Sequence, residues 1–211
     1  MLDLTTIGLF AGAAFMLSLI PGPDMIYIAT RSVSQGRNAG VASVLGVYTG
    51  VLIHLFAAAI GLSALIAASA VAFNLLKYVG AGYLIYLGIQ TFFSKSEMFA
   101  IKNAKKAKLS DIFYQGLLIN TLNPKVVLFF LAFFPQFIVP SRGDVTLQFV
   151  LLGALFIVIT LPVNIVVSLA GGQLGTWLRA KRGVQRASKW VTGSIYILLG
   201  ITTALTGSRK T

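Results

Sequence analysis

A chain of 211 residues with 57% hydrophobic and only 10% charged side chains departs from the roughly 25% charged content of a soluble domain. Its mean hydropathy of +0.88 is more than one aqueous core of this size can hide. The formal net charge of +12 lies in short clusters between long apolar runs, which argues against the continuous basic face that nucleic-acid binding needs. With no cysteine and one histidine, disulfides, thiol nucleophiles, cysteine metal sites and His-pair metal motifs are excluded, and no cofactor is expected.

A membrane-crossing helix needs about 20 largely apolar residues. Windows of that kind predict six spans: Leu4 to Ile28, Gly40 to Leu65, Val71 to Phe93, Ile112 to Phe137, Thr146 to Ala170 and Trp190 to Thr206. The first carries Asp3 where a signal peptide has a basic region, and it is too long for a signal core, so it reads as a span. The fold class expected is an all-α integral membrane protein, a single domain over residues 1–211.

Twelve of the seventeen Lys and Arg residues fall in loops one, three and five. These are Arg31 and Arg37; Lys95, Lys102, Lys105, Lys106 and Lys108; and Arg179, Lys181, Arg182, Arg186 and Lys189. Arg142, Arg209 and Lys210 lie on the other side, Lys77 at a span end and Lys125 inside one. The positive-inside rule places the twelve in the cytoplasm and both termini outside. Basic loops of this kind serve orientation and attraction to anionic lipid. The longest, Ser94 to Asp111, reads as a solvated linker or short surface helix and divides the chain.

Lys77 to Thr91 aligns with Lys189 to Thr203 with seven identities in fifteen positions, among them Val79/Val191, Leu87/Leu199 and Gly88/Gly200. Span three therefore resembles span six. Spans one and four are both interrupted, by Pro21-Gly22-Pro23-Asp24 and by Asn123-Pro124-Lys125, and spans two and five share Leu45-Gly46 and Leu152-Gly153. Three spans per copy is an odd number, so the second copy enters the membrane from the opposite face. The expectation is an inverted-topology repeat, residues 1–94 and 112–211 with the linker 95–111 between them.

Proline removes a backbone donor and clashes with the carbonyl one turn earlier, so two prolines around a glycine unwind a helix. Unpaired backbone at membrane depth is tolerated only inside protein or beside a wet cavity, and the helix resuming at Met25 offers free N–H groups. Asp24 and Lys125 occupy equivalent repeat positions with opposite charge. An ionisable residue in a span costs about 2.5–3.5 kcal/mol on insertion scales and usually faces a partner or a wet pathway. The local alternatives are an N-cap role for Asp24 and snorkelling for Lys125. A zwitterion fits between them, its amine toward Asp24 and its carboxylate toward Lys125 or a half-helix end.

His54 in span two is a candidate proton carrier, with a neutral histidine bonded to a backbone carbonyl as the structural alternative. Asn120 and Asn123 extend the polar strip on span four, although Asn123 before a proline is first a turn former. Span five offers Thr160, Pro162 and Asn164 as a polar, breakable middle without charge. Gly46, Gly50, Gly61, Gly80, Gly82 and Gly88 permit close helix packing and would allow a homodimer. Tyr83, Tyr86, Phe129, Phe130, Phe133 and Phe134 read as lipid-facing or core residues, and Trp177 and Trp190 as interfacial anchors.

Ser18-Leu19-Ile20-Pro21-Gly22-Pro23-Asp24, Gly36 with Gly40, Leu45-Gly46, Tyr83-Leu84-Ile85-Tyr86-Leu87-Gly88, Asn123-Pro124-Lys125 and Phe134-Pro135-Gln136-Phe137, in this order over nearly the whole chain, resemble the LysE/RhtB superfamily of bacterial amino-acid exporters. The resemblance implies an inner-membrane carrier that expels amino acids such as homoserine, threonine, leucine or lysine, driven by the proton gradient. It maps the family's proline-glycine-proline motif onto Pro21 to Asp24 and its asparagine-proline-lysine motif onto Asn123 to Lys125. Many relatives carry an acid in span five where this chain has Thr160, which leaves Asp24 or His54 to carry protons here, or a different coupling. Together the residues predict a secondary exporter working by alternating access, with efflux of other small amine metabolites as the alternative. An intramembrane enzyme would need a nucleophile, a base and oxyanion donors together, which one histidine and one deep aspartate supply poorly.

Overall fold

A computed structural model of the chain describes residues 2–93, 106–180 and part of 190–205. The expected basic positions Lys95, Lys102, Lys105, Lys181, Arg182, Arg186, Lys189, Arg209 and Lys210 lie outside the described residues, as do the side chains of Lys77, Trp177 and Arg179. Among the described residues the regular structure is entirely helical: α1 (Leu4–Leu19), α2 (Pro23–Gln35), α3 (Arg37–Ala57), α4 (Ser63–Ala68), α5 (Ala70–Phe93), α6 (Leu109–Thr121), α7 (Pro124–Leu128) and α8 (Val145–Ala180), with a last apolar helix, α9, over Tyr196–Leu205.

Arg37–Gly61 and Val145–Ala170 are each long and apolar enough to cross a membrane. Two bent pairs become further spans if each is counted as one: α1 with α2, bent by 51°, and Leu109–Thr121 with Pro124–Phe137, bent by 46°. That gives two to four candidate spans, with α5 and α9 at the chain positions expected for spans three and six.

Both interruptions fall at the proline motifs, and their local chemistry matches. Gly22, extended at φ −121° and ψ 179°, is the N-cap of α2, Pro23 takes its first position and Asp24 its second. Asn123 is the N-cap of α7, its side-chain oxygen accepting the Lys125 N–H at 3.0 Å, with Pro124 first and Lys125 second. Proline is well placed there because the N–H it lacks would be unpaired in any case. Downstream, Pro135 withholds its donor from the carbonyl one turn earlier; the chain widens to a π-helical turn over Phe129–Phe133 and then tightens to a 3-10 turn over Phe134–Phe137.

Two expectations change. α2 runs on to Gln35, so Arg31 belongs to the helix rather than to a loop: its guanidinium donates to Gln35 at 3.0 Å and Gln115 at 2.7 Å and lies 5.6 Å from the Tyr27 ring centre. Satisfied by those partners, the charge is tolerated within the helix, and the aliphatic stem packs as apolar surface. Span five does not break: Pro162 sits inside continuous α8. A lone proline without a flanking glycine or cap residue removes one hydrogen bond and crowds the carbonyl one turn earlier, which α8 accommodates without ending.

α3 packs on α6 through glycines. A Cβ on Gly46 would strike the Phe113 carbonyl, and one on Gly116 would lie 2.9 Å from the Ser43 carbonyl oxygen. A Cβ on Gly61 or Gly82, both expected at contacts, would meet nothing within 4 Å among the described residues. α5 and α9 also meet through glycines: a Cβ on Gly88 would lie 2.8 Å from the Gly193 carbonyl oxygen and 2.6 Å from Ile197, and one on Gly200 2.8 Å from the Ala81 carbonyl oxygen and 2.6 Å from Ile85.

The core beneath α1, α7 and α8 is aromatic, with Phe10, Phe129, Phe130, Phe134 and Phe149 all buried. Phe134 stacks on Phe149 at 5.3 Å and takes Phe10 edge-on at 5.0 Å. Tyr83 and Tyr86 are exposed, as helix surface facing lipid should be. At the chain's start Asp3 caps α1 and pairs with Arg142. The Thr6 backbone N–H, with the Arg142 guanidinium adding to it, holds this carboxyl well below the usual carboxylate range.

Candidate functional site

The two breaks meet. Asp24 Oδ1 lies 3.5 Å from Lys125 Nζ, with the side chains 10% and 7% exposed respectively. Lys125 Nζ also donates to the carbonyl of Ile20 at 3.1 Å, a group left at the C-terminal end of α1 by the break. An aspartate in the first turn of α2 is favoured by the helix dipole, whereas a lysine in the first turn of α7 is not. Lys125 is held there by the carboxylate and the α1 carbonyl. Such charges, out of water, are tolerated only as a pair with further hydrogen bonds.

Gly22 makes the approach feasible. A Cβ at this position would lie 2.7 Å from Asp24 Oδ1 and 2.9 Å from Lys125 Nζ, so any larger residue would press on both charges.

Two cavities flank the pair. On the side of α3 and α8 is one of about 30 Å³, lined by Ser18, Asp24, Tyr48, Asn120, Lys125, Thr160 and Asn164 among others, with room for one or two waters. On the side of α5 and α9 is one of about 470 Å³, lined by the Pro21-Gly22-Pro23 and Asn123-Pro124-Lys125 motifs with Leu87, Gln90, Thr91, Phe93 and Tyr196. Its volume is in the range of small-molecule sites. Lys125 is the one described residue that lines both.

The smaller cavity holds unmet polar groups. Asn120 is fully buried, and among the described residues neither its Oδ1 nor its Nδ2 has a hydrogen-bond partner; the same holds for Asn164 Oδ1 and, beside the larger cavity, for Asn123 Nδ2. Buried polar atoms are rarely left so without a ligand or water to meet them. Gly50 makes room for Asn120, whose Oδ1 would lie 2.8 Å from a Cβ there.

All the residues singled out in the breaks thus come together, with Asn120, Thr160 and Asn164 beside them. His54 does not line either cavity. Its Nε2 lies 3.2 Å from the Asn120 carbonyl oxygen, and its ring stacks on Phe130 at 5.9 Å. That carbonyl, which Pro124 cannot pair, already accepts the Asn123 N–H at 3.0 Å; a carbonyl can only accept, so in this second hydrogen bond Nε2 is the donor and carries the hydrogen. His54 therefore steadies the end of α6 just before the break.

Sequence reading missed Tyr48 and Tyr196. The Tyr48 hydroxyl donates to Thr160 at 2.9 Å and accepts from Asn164 Nδ2 at 3.1 Å, joining α3 to α8 beside the pair. A signal existed, since Tyr48 lies on the same helical face as Val44, Val51 and Leu55, all buried, and a polar tip there needs a partner. Tyr196 is buried against the larger cavity. The repeat aligns it with Leu84, so nothing in the pattern marked it.

A family model described as LysE type translocator matches residues 15–207. The chain is 32% identical over 185 residues to a homoserine/homoserine lactone efflux protein of Salmonella typhimurium, covering 88% of this chain and 89% of that one. It is also 32% identical over 202 residues to an uncharacterized membrane protein, YrhP, of Bacillus subtilis, covering 91% and 95%, and 32% identical over 188 residues to an uncharacterized membrane protein of Vibrio cholerae, covering 89% and 91%. No solved structure matches the chain.

Proposed function

Because the chain belongs to the LysE type translocator family, we propose that this membrane exporter expels neutral or basic amino acids such as homoserine, threonine, leucine or lysine across the bacterial inner membrane. The observation that carries the reading is the Asp24–Lys125 pair, formed where two broken helices meet between two cavities. A zwitterion placed there meets a carboxylate for its ammonium and a cation and unpartnered amides for its carboxylate. The Salmonella relative's name adds homoserine and its lactone as ligands to try first.

Alternating access is supported by the way α5 and α9 meet. Gly88 faces Gly193 and Ile197 while Gly200 faces Ala81 and Ile85, and every one of these contacts maps onto its counterpart when the two repeats are exchanged. Each glycine meets residues earlier in the partner's copy, a pattern that arises when two equivalent helices cross antiparallel about an axis perpendicular to both. An axis lying in the membrane plane has that geometry, and rocking one repeat against the other about it opens the pair to either side in turn. With no native cysteine, cysteines paired at Gly88 with Ile197 and at Ile85 with Gly200 test the relation. Both pairs should cross-link with similar yield, and cross-linking of only one would remove the two-fold.

Coupling to protons follows from the same carboxylate. A proton and a substrate ammonium compete for Asp24, so each displaces the other and the carrier exchanges them. The direct test is uptake into proteoliposomes across a panel of amino acids, with and without an imposed pH gradient. Accumulation of unchanged substrate only under the gradient is the expected result, since a channel cannot concentrate and an enzyme would alter its substrate. His54→Gln should retain gradient-driven transport if its part is to hold the end of α6; a lost pH response would make it the proton carrier instead.

A further inference from the structure

Lys125 stands where a ligand would. Its Nζ is a primary ammonium, 3.1 Å from the Ile20 carbonyl and 3.5 Å from the Asp24 carboxylate, and Gly22 leaves it 2.9 Å from where any side chain would begin. The three groups outline a subsite for one –NH3+ head. Asn120 Oδ1 and Asn164 Oδ1, acceptors without hydrogen-bond partners among the described residues, line the same small cavity as the Asp24 carboxylate. The lysine side chain also borders the larger cavity, into which it can withdraw and be solvated.

We propose that Lys125 is a tethered occupant of a primary-ammonium subsite formed by the Ile20 carbonyl, the Asp24 carboxylate and Gly22, and that a ligand enters by replacing one ammonium with another. This rests on the exporter reading above and deepens it. The exchange keeps the net charge around Asp24 constant, so neither the empty nor the loaded site leaves a buried carboxylate alone. Selection then falls on the free amino group. A carboxylate is useful to the displaced Lys125 but not required, so C-esterified amino acids and simple alkylammonium ions bind, whereas N-acylated amino acids do not.

The test measures binding to the purified full chain by calorimetry, with L-threonine, L-threonine methyl ester, n-propylammonium chloride and N-acetyl-L-threonine as probes. In the wild type the ester and propylammonium should displace threonine, and the N-acetyl compound should not. Lys125→Met removes the tethered competitor and should raise propylammonium affinity about tenfold or more, because an occupied site lowers apparent affinity by the vacant fraction. Competition by N-acetyl-L-threonine equal to that of the ester overturns the proposal, as does loss of propylammonium binding in a folded Lys125→Met. Should that variant aggregate, the wild-type competition series decides alone. Transport of threonine together with N-acetyl competition would defeat the subsite and spare the exporter; propylammonium binding strengthened by Lys125→Met in a protein that moves no amino acid would do the reverse.

Discussion

Asp24→Asn and Lys125→Ala, reconstituted into vesicles, are each expected to reduce amino-acid efflux by at least about a hundredfold while the protein still inserts. The argument starts from burial. Each charge is almost wholly removed from solvent and depends on the other, so truncating one leaves a buried ion uncompensated, a change that typically costs about 3–5 kcal/mol. Asn cannot supply the full charge that an ammonium ligand meets in Asp24, and a hundredfold loss needs only about 2.7 kcal/mol. The double variant Asp24→Asn/Lys125→Gln separates folding from function. It should unfold at a higher temperature in detergent than either single variant, because no unpaired charge remains, and yet stay inactive. Wild-type rates in both single variants would remove the pair from the site.

How much of this was legible in the sequence depends on the range of the physics. The breaks were readable because they are local: Pro21-Gly22-Pro23 and Asn123-Pro124 end helices whatever surrounds them, and the structure bends there by 51° and 46°. Opposite charges at matching repeat positions predicted that Asp24 and Lys125 belong together, and they meet. Pro162 misled because the same residue type has a different effect when no glycine or capping side chain helps the chain turn away. The extent of α2 was underestimated because Arg31 was counted as a loop charge, whereas its guanidinium finds Gln35, Gln115 and Tyr27 only after folding. Tyr48, which the helical period marked only as a position on a buried face, and Tyr196, which nothing marked, went unread as site residues for a related reason. What makes them part of the site is which helices pack beside them, a long-range property that neither period nor motif encodes.

The largest effect on stability is expected at Gly46, and its cause links packing back to the site. A Cβ there would meet the Phe113 carbonyl carbon at 2.9 Å and the Leu117 nitrogen at 3.0 Å. Both are backbone atoms of α6, so no rotamer change can relieve the contact. In a membrane, helices associate chiefly through such close packing rather than through a hydrophobic drive, and overpacking costs about 1–3 kcal/mol or more. Gly46→Leu should therefore lower the detergent unfolding temperature by several degrees or prevent folding. Gly46→Ala should fold less stably, with α6 pushed outward. That shift carries Asn120 away from Gly50 and from His54, and with it the turn that presents Lys125 to Asp24, so efflux should fall even where the protein folds. Gly82→Ala is the control: among the described residues nothing lies within 4 Å of its Cβ position on α5, and replacing a mid-helix glycine should stabilise by roughly 0.5–1 kcal/mol. Equal unfolding temperatures for Gly46→Ala and Gly82→Ala would mean that the α3–α6 contact yields freely, and the chain of support from that crossing to the ion pair would fail with it.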